Sequence, residues 1–229
     1  RGLSFFEGSR SKSGLAGILA AAYNPGMCLL ALPVMISAMY DKTGKIRRKN
    51  MSEHIKRLNR ELKFRGKLID FYQDTMEIDG DRTVVWDFIK HKGAAAVVPV
   101  TDDGRILMVR QYRNALDRYT LEIPAGALDD EKEPGIECAS RELEEETGYR
   151  SDTMEWLITL RTTVAFCNER IEVYVAKNLI PSKQHLDEDE FIDLQAYTLE
   201  ELKKKIFSGE IEDAKTVASL MAYAVKYNR

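Results

Sequence analysis

Apolar and polar positions change rhythm several times along the chain, and each change predicts a different element. Residues 68–78 and 83–90 are rich in β-favouring side chains and flank Asp79-Gly80-Asp81, a turn signal, so the pair predicts a hairpin. Residues 94–101 form an unbroken apolar run, Asp102-Asp103-Gly104 turns the chain, and 106–112 return with Ile106 and Met108 alternating. The first half therefore reads as mostly antiparallel sheet. The period then becomes helical: Pro134 sits where a first turn tolerates it, Ile136, Ala139 and Leu143 recur at helical spacing, and Gly148 supplies a stop. Residues 156–161 and 171–176 are further strands, the second with Ile171, Val173 and Val175 on one face. Thr198-Leu199-Glu200-Glu201 has the form of a capping box opening a helix that closes near Gly209. A last helix, about 213–227, is expected to present Val217, Leu220, Met221 and Val225 to a core. With no internal repeat, the pattern gives a mixed α/β fold around one dominant core.

The beginning of the chain breaks this pattern. Residues 14–40 carry no charge and follow Arg10 and Lys12, which raises a membrane helix or signal anchor. Asn24-Pro25-Gly26 divides the stretch into two pieces, each too short to span a bilayer, and Pro33 interrupts the second. Met51 opens a polar, helix-compatible run over 52–62. The reading is that the functional protein begins near Met51 and that residues 1–50 are an upstream or non-native extension, with a membrane anchor kept as the alternative. Stable retention of the full chain in a membrane pellet would overturn it.

Composition narrows the function classes. With 229 residues and 44% apolar content, the chain can bury a substantial core. Its formal net charge is −3 and its Lys and Arg residues are scattered, so the basic footprint of a nucleic-acid-binding protein is missing. Cys28, Cys138 and Cys167 are an odd number at wide spacings, which suits reduced thiols and a cytoplasmic protein better than a disulfide framework.

The chemistry concentrates in 126–149, GALDDEKEPGIECASRELEEETGY. On a helix Glu142, Glu145 and Glu146 fall at i, i+3 and i+4, so their carboxylates share one stripe while Glu144 points away. Each such pair repels by about 4 kcal/mol at ~4 Å and an effective dielectric near 20, unless a cation intervenes. A hard divalent ion is the expected remedy, and magnesium characteristically takes a few carboxylates together with substrate phosphates. Arg141, one turn before Glu145, is placed to hold that carboxylate. A Glu-rich helix by itself is equally a solvated face.

The order Gly126, Glu133, then Arg141-Glu142-Leu143-Glu144-Glu145-Glu146-Thr147-Gly148-Tyr149 resembles the Nudix box, in which a glycine and a spaced glutamate precede REUxEExGU, with U aliphatic or aromatic. Six residues rather than five separate Gly126 from Glu133, so the loop carries one inserted residue. GAAAVVPVTDDGRILMVRQYR and LEIPAG, ahead of the box, are similar to the ADP-ribose pyrophosphatase branch, and the likeness in order of elements covers roughly 64–227.

That resemblance implies a Nudix-type α/β/α sandwich with a mixed sheet (93–229), preceded by a small antiparallel β region (51–92) that forms a homodimer. It implies magnesium, with manganese as the alternative, held by Glu142, Glu145, Glu146 and the Ala125 carbonyl. Glu145 is either a ligand or a group that orients water. The catalytic base is expected in the acidic stretch Asp187-Glu188-Asp189-Glu190, with Glu188 first and Glu190 second, although a solvated acidic loop reads the same way. Arg113 matches an arginine that contacts phosphate and Trp86 an aromatic that stacks on adenine. Arg113 is equally an ordinary strand-end arginine, and Trp86 a core or interface residue. Glu122 is expected to orient substrate, with Glu169 lining the site. The substrate implied is a nucleoside diphosphate joined to another group, ADP-ribose first, giving AMP and ribose 5-phosphate. Many ADP-ribose hydrolases carry a proline where this chain has Val164, so a nucleotide sugar, a dinucleotide or a non-catalytic ADP-ribose-binding role stay as alternatives.

Overall fold

The computed structural model describes residues 54–67, 69–186 and 191–228. In chain order its elements are β1 (Ile55–Arg65), β2 (Asp70–Ile78), β3 (Arg82–Lys90), β4 (Ala94–Pro99), β5 (Ile106–Arg113), β6 (Arg118–Glu122), β7 (Ala125–Ala127), α1 (Gly135–Thr147), β8 (Tyr149–Arg150), β9 (Thr153–Arg161), β10 (Arg170–Lys177), β11 (Ile180–Pro181), β12 (Ile192–Tyr197), α2 (Leu199–Phe207) and α3 (Ala214–Lys226). The uncharged stretch 14–40 lies outside the described residues.

The apolar run 94–101 becomes β4, at the centre of the mixed sheet β7-β4-β10-β9. It pairs parallel with β10, Ala96 opposite Val173, and antiparallel with β7. Every β4 residue is buried because both faces of the strand are covered, which is why its sequence shows no polar alternation. Ala94, Ala96 and Val98 join Ile171, Val173 and Val175 of β10 in the larger core, closed by β5, α2 and α3. Ala95 and Val97 point the other way, onto Cys138, Ala139 and Leu143 of α1. Small side chains at Ala95 and Ala139 let the helix lie close to the sheet. A second sheet, β12-β5-β6, completes the sandwich.

Helix ends follow the local chemistry. Gly148 ends α1 at φ 70, its N–H donating to the Glu144 carbonyl. Thr198 and Glu201 make the reciprocal capping box of α2. In α3 the buried stripe is Thr216, Ser219, Leu220, Tyr223 and Ala224. Val225 is 75% exposed, so the apolar face predicted there is rotated by one position. On α1 Ile136 is likewise 44% exposed, its expected place in the core taken by Cys138.

Within the helix-compatible run 52–62, residues 55–62 are corrected to strand: β1 pairs antiparallel with β2, and β2 with β3, in a separate sheet. Ile55, Leu58 and Leu62 mimic a helical period because register shifts between Arg57 and Asn59, and between Leu62 and Phe64, break the two-residue alternation. Arg60 fixes the pairing with a fork to Asp74, Nε to Oδ1 and Nη2 to Oδ2, both 2.6 Å, while its guanidinium lies 3.5 Å from the Phe88 ring centre. The β2–β3 hairpin turns where expected, with Asp79 at φ 54 and Gly80 at φ 83.

Candidate active site

β7 and the loop after it run beneath α1, and this close approach sets the geometry of the acids. The Glu142 carboxylate rests on Gly126 so tightly that a Cβ there would lie 2.0 Å from Oε1 and 2.2 Å from Cδ. One turn on, Glu146 Oε2 accepts the Ala125 N–H at 3.0 Å. Glu146 is only 2% exposed and Glu142 is also buried, so these acids sit deeper than the core edge expected of them. Cys138, buried in the same interface, has its thiol pushed up to about 12, chiefly by burial and then by Glu142. It stays S–H and lies 3.7 Å from the Gly126 carbonyl and 3.6 Å from that of Ala127, a weak staple on the loop.

Arg141 gathers the remaining acids. Its Nη1 donates to Glu142 Oε1 at 2.6 Å and Glu145 Oε2 at 3.0 Å, and its Nη2 donates to the Ala127 carbonyl at 3.2 Å. Glu133 Oε1 faces its Nε at 3.6 Å. Burial opposes the charge on Arg141, but Glu142 and its other partners hold its pKa above the ordinary arginine value. The repulsion expected to demand a metal is therefore partly relieved by a guanidinium between Glu142 and Glu145. Among the described residues, no three His, Cys, Asp or Glu side chains converge as a ready-made metal site. The sequence marks Glu133 only by its place in the motif; the fold brings its carboxylate into an ion pair with Arg141.

Arg113 and Glu122 come together at the ends of β5 and β6. Nε and Nη2 of Arg113 fork onto the two Glu122 oxygens at 2.8 and 2.7 Å, and Thr120 Oγ1 donates to Glu122 Oε1 at 2.6 Å. Burial would raise the Glu122 pKa, but Arg113 and Lys215 outweigh it and bring it to about 2. Lys215, on α3, donates to Glu122 Oε2 and to Asp213 Oδ2. Nothing in the sequence pointed to Lys215, because 93 residues separate it from Glu122.

Trp86 lies on β3 and is 46% exposed, which excludes a place in a closed core of this chain. Glu169 receives the Thr162 hydroxyl and lies 3.7 Å from His91 Nε2, bracing the 162–169 segment. Glu188 and Glu190 lie outside the described residues. The segment before them docks on the last turn of α1: Gln184 Nε2 donates to the Glu146 carbonyl at 2.7 Å and the His185 N–H to that of Glu145 at 3.0 Å. Beside it a groove of about 550 Å³ is lined by Glu137, Ser140, Arg141, Glu144, Glu145 and His185.

A family description of the NUDIX domain matches residues 90–220. The chain belongs to the Nudix family of hydrolases. An ADP-ribose pyrophosphatase of Bacillus subtilis (strain 168) is 41% identical over 174 residues, covering 75% of this chain and 91% of that protein. A methanol dehydrogenase activator of Bacillus methanolicus is 42% identical over 159 residues, covering 69% and 85%. An ADP-ribose pyrophosphatase of Mycobacterium tuberculosis is 32% identical over 177 residues, covering 75% and 84%. Among solved structures, an ADP compounds hydrolase superposes with a TM-score of 0.68 over 76% of this chain and 95% of that one, and at 22% identity the likeness is one of fold. α1 is thus the Nudix helix, within the α/β architecture expected from the sequence.

Nudix hydrolases generally use divalent metals, and the residues here fit such an ion. Glu142 and Glu146 bring hard oxygen donors against the Ala125–Gly126 backbone, and the absence of a Cβ at Gly126 is what leaves room for the Glu142 carboxylate.

Proposed function

We propose that the chain hydrolyses a nucleoside diphosphate joined to another group, with ADP-ribose the preferred substrate and AMP and ribose 5-phosphate the products. The observation that carries this reading is the Glu142 carboxylate seated on Gly126 beside Glu146 on the Ala125 N–H, in a chain aligned with most of the length of two ADP-ribose pyrophosphatases. Magnesium, or manganese in its place, would be held by Glu142, Glu146, Glu145 and the Ala125 carbonyl, where it would neutralise pyrophosphate oxygens and acidify water. Arg141 keeps Glu142 and Glu145 from repelling each other before substrate arrives. Arg113, its fork anchored on Glu122, presents a fixed positive charge to a phosphate. Glu188, or Glu190, takes the proton from the attacking water; Gln184 and His185, a few positions earlier in the chain, dock on the last turn of the Nudix helix.

The exposed apolar side chains of the first sheet, Leu58, Leu62, Phe64, Val85 and Trp86, support a homodimer in which residues 51–92 are the contact and Trp86 stacks on adenine. The free thiols Cys138 and Cys167 support a cytoplasmic setting. No helix among the described residues is long and apolar enough to cross a membrane.

A magnesium-dependent assay over ADP-ribose, NADH and nucleotide sugars, with product identification, tests the substrate. ADP-ribose is expected to have the highest kcat/KM, and a higher value for any other compound would transfer the assignment to that one.

A further inference from the structure

The first turn of α3 makes contacts with the end of β6 and the residue after it that neither the Nudix motif nor the family assignment uses. Asp213 Oδ2 accepts the Thr216 N–H at 2.9 Å and its hydroxyl at 2.6 Å, and Thr216 Oγ1 accepts the Ile123 N–H at 3.1 Å. Between them, the Lys215 ammonium donates to Asp213 Oδ2 at 3.0 Å and to Glu122 Oε2. Both its partner carboxylates belong to this cluster, and its side chain is only 11% exposed. It is therefore an anchored charge rather than a solvated lysine that happens to pass a carboxylate.

Glu122 gains a second cation it does not need for simple neutralisation, since the Arg113 fork already supplies one in full bidentate geometry. Arg113 and Lys215 meet on the same oxygen, Oε2, and Thr120 and Arg113 Nε share Oε1, so the carboxylate cannot rotate without breaking a contact at each end. Two consequences follow. The plane of the Arg113 guanidinium is set by a group fixed from α3. In addition, Glu122 is shared between Arg113 and Lys215, so more of the Arg113 charge remains for an anion that meets its guanidinium.

We propose that Lys215 is a positioning residue for hydrolysis: acting through Glu122, it fixes the fork of Arg113 and preserves its charge for the substrate's phosphates. The proposal rests on the reading of Arg113 as the phosphate contact. Lys215 itself touches no substrate, and its effect belongs in binding rather than in the chemical step.

The test compares Lys215→Met and Lys215→Arg with the parent chain, using ADP-ribose and magnesium for kinetics and calorimetric binding of ADP-ribose without metal. Lys215→Met is expected to raise KM and Kd by at least about tenfold with kcat within about threefold, and Lys215→Arg to restore both to within about threefold, as loss of uniform binding requires. A melting curve accompanies each variant. An unchanged KM in Lys215→Met, or Lys215→Arg as impaired as Lys215→Met, would overturn the proposal whatever the melting temperature. If Lys215→Met does not fold, Lys215→Gln, which keeps a donor but not the charge, must show the same rise in KM; parent-like binding in that variant counts against the idea. Failure of the parent chain to hydrolyse any diphosphate in the panel would instead sink the functional reading itself.

Discussion

Replacing Gly126 with alanine adds one methyl group at the point where the Nudix helix meets the loop. Gly126 is not among the positive-φ glycines, so alanine meets no backbone strain there. The new Cβ would lie 2.0 Å from Glu142 Oε1, whereas ordinary contact begins at 3.4 Å, so the carboxylate must withdraw by the difference, about 1.4 Å. The displaced atoms are the tip of a flexible side chain, so folding should be little affected, but that tip is the part of Glu142 the site uses. A misplacement of about 1 Å in a catalytic constellation costs on the order of 100-fold, or about 2.7 kcal/mol of transition-state stabilisation. Steady-state hydrolysis of ADP-ribose at saturating magnesium should show that loss in kcat/KM, with a melting temperature within a few degrees of the parent. A variant that melts normally and works within about threefold of the parent would refute the view that the Glu142–Gly126 contact organises the site.

Two further predictions test other parts of the site. Glu146→Gln keeps a group able to accept the Ala125 N–H but removes a charged oxygen, and turnover should fall by at least about 1000-fold at every magnesium concentration while circular dichroism is unchanged; full activity would end the ligand assignment. Glu122, with a folded pKa of about 2 against 4.5, contributes about 3 kcal/mol of stability that is complete above pH 4.5 and disappears as pH falls towards 2. Unfolding free energy measured across that window should therefore drop more steeply for the parent than for Glu122→Gln, and parallel slopes would show that the carboxylate is not held ionised.

Elements fixed by neighbours in sequence were the legible ones. The Asp79-Gly80 turn, the Gly148 stop and the Thr198–Glu201 capping box each carry their geometry within a few residues, and each forms where the pattern placed it. β1 escapes the sequence pattern because two register shifts disguise a strand as a helical period, and its Arg60–Asp74 fork is a cross-strand tie. The same limit applies to the site. The stripe of Glu142, Glu145 and Glu146 could be read from helical spacing, but their depth depends on what lies beneath them, the Ala125–Gly126 backbone. Lys215 and Gln184 act across 93 and 38 positions of chain, with no periodic signal to connect them to Glu122 or Glu146.

The extra residue between Gly126 and Glu133 shows which features of the motif the fold requires. Six intervening residues could have pulled Glu133 out of place, yet its carboxylate faces Arg141 Nε at 3.6 Å with one oxygen and accepts the Asp129 N–H at 2.6 Å with the other. The surplus length is taken up in a local turn, where the Glu133 N–H donates to the Asp130 carbonyl at 3.3 Å and the Lys132 N–H to Asp130 Oδ1 at 2.6 Å. Both ends of the loop stay pinned, Gly126 by the Glu142 carboxylate and Glu133 by Arg141, so the turn between them is free to lengthen into solvent. Loop entropy adds little resistance, since even doubling a flexible loop costs only about 0.6 kcal/mol. The spacing of the motif is therefore a consequence of its anchors, and an inserted residue leaves the carboxylate arrangement intact as long as those two contacts survive.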